Sequence, residues 1–390
     1  MKKQTWLCLL GAALTVMIFS VLPSQAATYH VAVVGNDTTG TGTTAKPFAS
    51  IPRGTQAAVS GDTVCVGAGT YWIPLVYDQA MNQSVAIVNL SKNGITYKKE
   101  PTAATHPMVS FPTRTANKTF LEITGSNIVW DGIDVNNGLY GIYAHGGANL
   151  TIQNCTVQWS QYPGIQMENY NQVVIDNCDV HDCVQMNSAR DGLSGLWSTG
   201  IGATYSSYVT VKNSRVHNNC GEGIDPYLGC SNWTIDHNTV YDNFSVNIYV
   251  DTDAAQASIT VSNNTIYDTG TLGSGDHNLP TGIRVGNENA DFNPPSSSIN
   301  AVVKWISIHD NVIQNCGGGL ESFAYYGGPY RLADSSFYNN QVSGSRNHSD
   351  GTAFAAVTIF GIVSPVTYAY NYVTGGAVNI DSAINSYGNY

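Results

Sequence analysis

The sequence predicts an all-β solenoid, with short parallel strands wound into stacked coils and a short helix capping the N-terminal end. Three observations predict it. A segment opening on Ile or Leu returns after about two dozen residues, the period of a solenoid coil. A polar residue, most often asparagine, recurs at a fixed place later in each period. Only 11% of the chain is charged, and it is rich in Gly, Asn, Ser, Thr and Tyr, which favours strands joined by many turns.

The N-terminus reads as a secretory signal over residues 1–26. Lys2 and Lys3 precede an apolar run from Trp6 to Leu22 and a small-residue cleavage site at Ser24-Gln25-Ala26. A run this short, followed by a cleavage site, argues against a membrane anchor. The chain is expected to be secreted or periplasmic, with no membrane contact after cleavage, and the short Lys-Lys signal looks bacterial. Removing those two lysines from 16 Lys+Arg leaves 14 against 27 Asp+Glu, a net charge of −13. Nucleic acid needs a basic face, so it is not the expected partner. The acidity suits cations instead. Of 8 cysteines, Cys8 leaves with the signal, and an odd number keeps at least one thiol free.

Residues 27–119 read as a cap and early coils. Tyr29 to Val33 alternates as a strand, and Asn36 to Thr44 is a Gly/Thr/Asp loop. Pro47 to Ile51 leads into a helix placed over Thr55 to Val59. Gly61-Asp62-Thr63-Val64-Cys65-Val66 is a turn and strand, followed by Gly67-Ala68-Gly69-Thr70-Tyr71. This order resembles the opening of exported right-handed parallel β-helix proteins of the pectate-lyase-like group, where a helix covers the open end of the stack. Ala86 to Val88 and Gly94 to Tyr97 look like strands of less regular early coils.

Residues 120–390 read as regular coils in one domain with the cap, and the chain is expected to be a monomer. First strands open at Leu121, Ile142, Ile165, Ile201, Ile224, Ile248, Ile283, Leu320, Phe354 and Val378. The longer intervals carry insertions: Val184 to Thr199, Gly270 to Thr281, Asn287 to Asn300, Tyr325 to Asp334 and Ser343 to Thr352. Each is expected to follow a third strand. A ladder runs through Cys155, Cys178, Ser214, Asn238, Asn264, Asn311, Asn340 and Asn371. Stacked asparagines hydrogen-bond from coil to coil, and the two cysteines read as buried thiols filling ladder positions. In the β-helix group such a ladder marks the turn between second and third strands.

Alternation then sorts each first strand, with the Ile and the residue two later pointing inward. One outward column is Glu122, Tyr143, Gln166, Gly202, Asp225, Tyr249, Arg284 and Glu321; the other is Thr124, His145, Glu168, Thr204, Tyr227, Asp251, Gly286 and Phe323. In pectate-lyase-like enzymes this face is the substrate groove, so the resemblance implies an acidic, uronate-containing polysaccharide here. Tyr143, His145, Glu168, Tyr227, Glu321 and Phe323 are the expected sugar contacts. Asp225, Asp251, Asp253 and Glu222 are expected to hold Ca2+, which takes several carboxylate oxygens. Arg284, Asp225 and Tyr249 are the catalytic candidates for a β-elimination, Arg284 as base or as neutraliser of a uronate carboxylate, with Tyr227 and His145 behind them.

The face carries no lysine, a base used by many lyases of this fold, and it lacks the motifs of polygalacturonases and alginate epimerases. Two other readings therefore stand. Asp225 and Asp251, one coil apart and two residues along, would have Cα atoms about 8 Å apart, a spacing that suits the acid and base of an inverting glycosidase. A surface binding protein whose tyrosines stack on sugar rings is the third. Outside the face, Cys220 and Cys230 could pair as a disulfide. His181, His217 and His237 recur in later strands at differing coil positions and give a weak zinc signal.

Overall fold

The computed structural model describes residues 25–114, 118–190, 197–270, 280–286, 302–323, 332–345, 355–363 and 365–390. Nearly all of the signal segment lies outside these residues, as do most of the insertions and Phe354.

Period-two alternation wraps the chain around a single apolar core. Three sheets of 12, 13 and 11 strands run the length of the molecule, parallel except where Val76–Asp78 meets Gln83–Leu90. Each coil contributes one strand to each sheet in the order first, second, third. In the first sheet Leu121, Ile142, Ile165, Ile201, Ile224, Ile248, Ile283 and Leu320 stand in register, and all are fully buried. Each such side chain contributes about 1.5–3 kcal/mol by leaving water. The next member is Val357, paired with Leu320, so the coil starts there and not at Phe354; Val378 follows in register.

The asparagine ladder stands between second and third strands. Asn238 Nδ2 donates to Asn264 Oδ1 at 3.0 Å, Asn264 to Asn311 at 2.9 Å, Asn311 to Asn340 at 3.0 Å and Asn340 to Asn371 at 3.0 Å. Asn389 ends it, at 3.3 Å from Asn371. The residue before each rung is left-handed, with φ from 51° at Asn213 to 57° at Asn154 and Asp310. That conformation turns the corner, and Asn and Asp tolerate it best. His237 is such a corner residue, at φ 55°. His181 and His217, by contrast, face each other in register and stack at 5.1 Å, so they do share a coil position. A second ladder, Asn219 to Asn243 to Asn247, fills the turn after the third strands.

Three expectations change. The helix, α1, spans Ile51–Ala57 rather than Thr55 to Val59. Ser50 Oγ accepts from Arg53 N at 3.2 Å and a proline sits in the first turn, and both are start signals. Cys220 and Cys230 form no disulfide, and all seven described cysteines are buried free thiols, Cys155 and Cys178 among them. The insertions do not all follow third strands. In chain order, an inserted stretch separates Thr281–Gly286 of the first sheet from Ile306–His309 of the second, and another separates Leu320–Phe323 from Ser335–Tyr338. Among the described residues no helix is long and apolar enough to cross a membrane.

Candidate functional site

The outward columns of the first sheet form as the alternation requires. Glu122, Tyr143, Gln166 and Gly202 stand in register, with His145, Glu168 and Thr204 beside them; Tyr249, Arg284 and Glu321 continue the first column, with Asp251, Gly286 and Phe323 beside them. The structure divides the face into two groups.

The N-terminal group is built on Ile142–His145, whose two outward side chains are Tyr143 and His145. Their rings stack at 4.6 Å. His145 Nε2 lies 3.1 Å from Glu122 Oε1, and Asn89 Nδ2 donates to the other oxygen of Glu122 at 2.6 Å. Tyr143 Oη donates a short hydrogen bond to Glu168. Burial, then the Glu168 carboxylate, pushes the Tyr143 phenol well above the usual tyrosine value. It therefore stays protonated across the physiological range, with its proton directed at Glu168. Tyr140 stacks on Tyr143 at 5.4 Å and on Tyr162 at 5.8 Å, and Phe120 meets Tyr143 edge-on at 5.6 Å. These supports, and Asn89, are not visible in the repeat pattern, because they lie on turns or on an early coil. The imidazole remains reachable, with 34% of its side chain exposed.

The central group is sealed. Glu222, Asp225, Tyr249 and Asp251 are all buried, Tyr249 to 1% exposure. Arg284 bridges to Glu321 Oε2 through Nε at 3.1 Å and Nη2 at 3.0 Å, and Nη2 also donates to Thr281 Oγ1 at 3.0 Å. Its guanidinium stands 5.8 Å over the Tyr249 ring. Burial works against the Arg284 charge, but the Glu321 carboxylate, with Tyr249 and Glu222, more than offsets it and holds the pKa above the ordinary value. Of the two roles expected for Arg284, base or neutraliser of a carboxylate, a guanidinium so held favours the second. Gly286 makes room for Tyr249: a Cβ there would lie 2.7 Å from the phenol oxygen. Tyr227 is half-buried at the group's edge.

The expected Ca2+ ligands do not converge. Asp253 Oδ1 accepts from Gly229 N at 2.7 Å and so braces a turn. Among the described residues, no three of Asp225, Asp251, Asp253 and Glu222 bring ligand oxygens within 4.8 Å of one another. A separate polar groove of about 800 Å³ lies across the turns between second and third strands, lined by Lys98, Lys99, His106, Asp131, Asp179 and Arg215. Within it Asp179 is bound by His217 at 3.0 Å and by Arg215, and His106 Nδ1 lies 3.0 Å from Asp134 Oδ1.

Residues 116–293 match the family model described as a right-handed β-helix region. Comparison with curated protein sequences gave no match. Solved structures of similar fold include a rhamnogalacturonan lyase (15% identity, TM-score 0.60, covering 93% of this chain and 87% of that one). An alginate lyase from Paenibacillus sp. aligns at 11% identity and TM-score 0.58, over 92% of this chain and 99% of that one. A polygalacturonase from Erwinia carotovora aligns at 12% identity and TM-score 0.54, over 94% and 98%. Identities this low carry the fold and not the chemistry. The register of three parallel sheets and the family match together make this chain a right-handed parallel β-helix protein.

Proposed function

We propose that this protein acts on a polysaccharide laid along the outer face of the first sheet, and that the group around His145 carries the chemistry. One observation supports this most: a reachable imidazole and a phenol held protonated stand ring to ring, each oriented by its own carboxylate. That is the equipment for taking one proton and giving another. The favoured reaction is β-elimination on an acidic, uronate-containing chain. His145 removes the proton at C5 of the uronate, the bond to the C4 oxygen breaks, and Tyr143 protonates the leaving oxygen. Glu122 fixes the imidazole, and Glu168 fixes the phenol. The exported location and monomeric state expected from the sequence fit an enzyme that meets polymer outside the cell.

Ca2+ remains part of this reading only as a counter-ion to be tested, because the expected acids are not gathered as its ligands, and no step above depends on it. A second reading is favoured by the charge of the face. Its acids Glu122, Glu168, Glu222, Asp225, Asp251, Asp253 and Glu321 face one guanidinium, which Glu321 already pairs. A neutral sugar suits such a face better, and hydrolysis by two carboxylates would follow. A non-catalytic binding surface is the third outcome.

The deciding experiment follows ultraviolet absorbance of unsaturated products from pectate, alginate and glycosaminoglycans, with Ca2+ and with chelator. Absorbance that His145→Ala abolishes supports elimination, and its loss in chelator would assign Ca2+ a role. New reducing ends without absorbance overturn elimination and favour hydrolysis. Retention of polymer with neither product leaves binding alone.

A further inference from the structure

We propose that His30, Cys65 and Glu100 form a site for one zinc-class divalent transition-metal ion at the capped end of the solenoid. Among the described residues this is the only set of three His, Cys, Asp or Glu side chains whose ligand atoms all lie within 4.8 Å of one another. The site is separate from the polysaccharide face and does not depend on that reading.

The backbone of three consecutive coils fixes the donors. His30 and Cys65 are register partners in Thr28–Val31 and Thr63–Val66. Val31, Val64 and Val66 turn into the core, so His30 and Cys65 share the outer face of the second sheet. Cys65 pairs in turn with Lys98, and Glu100 stands two residues further on the same face. Glu100 is held there by its own N–H, which donates to Val66 O at 2.7 Å. Its carboxylate already touches His30 Nδ1 at 2.8 Å.

The donor chemistry selects the ion. One sulfur, one nitrogen and one carboxylate oxygen match the mixed ligand sets of Zn2+ and its neighbours. Sulfur disfavours Ca2+ and Mg2+, which take oxygen. Metal–ligand bonds of about 2.0–2.3 Å put tetrahedral neighbours roughly 3.3–3.8 Å apart, so His30 and Glu100, at 2.8 Å, would exchange their hydrogen bond for the ion and part slightly. Three protein ligands leave the fourth position to water. Coordination as a thiolate releases the Cys65 proton to solvent. The bound ion would clamp the first coil to the next two, across from the segment whose Phe48 N–H donates to His30 O at 2.9 Å.

The test is a Co2+ titration of the metal-stripped full chain, read by thiolate-to-cobalt charge transfer in the near ultraviolet, followed by Zn2+ displacement. One Co2+ per chain is expected, with the band lost in Cys65→Ser and retained in Cys178→Ser, whose thiol lies far along the ladder. Wild type should also gain thermal stability with Zn2+, and His30→Ala and Glu100→Gln should gain none, with far-ultraviolet circular dichroism confirming their fold. Absence of binding, or a band unchanged in Cys65→Ser, would falsify the site and leave His30 and Glu100 as an ion pair beside a space-filling thiol.

Discussion

The two groups on the first sheet are built from the same columns but do opposite work. Around Tyr143 and His145, aromatic rings brace an imidazole that solvent can reach. Around Arg284, the guanidinium is paired with Glu321, the two being 19% and 15% exposed, beside the buried Glu222, Asp225, Asp251 and Tyr249. The repeat pattern alone ranks the central group first, because acids and tyrosines are densest there. Burial reverses the ranking. A charged group that is already paired and sealed contributes to stability, whereas one that is oriented yet reachable can exchange protons with a ligand.

Mutations on either side should separate these roles. The largest effect is expected for His145→Ala, a loss of activity of about 10²–10⁴-fold if it is the general base, with chemical unfolding nearly unchanged. A variant that keeps activity would remove the N-terminal group from the chemistry. Next is Arg284→Met, which leaves Glu321 without its cation in a largely buried setting and should cost about 3 kcal/mol in urea unfolding. An unchanged midpoint would mean that the Arg284–Glu321 pair contributes nothing to stability. Gly286→Ala should cost about 1–3 kcal/mol, because its Cβ would meet Tyr249 at 2.7 Å. Pairing it with Tyr249→Phe in a double-mutant cycle should show coupling, since the two sites touch.

The smallest effect concerns pH. The folded-state pKa of Tyr143 is raised, so the folded protein holds that proton more tightly than the unfolded chain. Stability should thus decline as pH rises above the ordinary tyrosine value of about 10. Tyr143→Phe should flatten that slope by a few tenths of a kcal/mol to about 1 kcal/mol. Arg284, with its pKa raised, keeps its charge over the same range and should add no slope.

The sequence by itself determined the coil. A Leu, Ile or Val at each coil start and a ladder of mostly asparagines at the corners leave one way to stack, since a strand slipped by one residue would turn its core face to water. The inward positions from Leu121 to Leu320 follow from that register, while Thr124 and Tyr227 of the outward column fall just past their strands. Where insertions lengthen the spacing, legibility ends: the coil after Leu320 starts at Val357, and two insertions leave from the first strand. The end helix was misplaced because apolar spacing outvoted the Ser50 cap. Only the tertiary structure decided which outward residues are covered, because burial depends on what distant segments place over a face, and alternation is blind to that. It also brought together His30, Cys65 and Glu100. Their separation of dozens of residues gives no local signal, whereas stacked coils set them side by side.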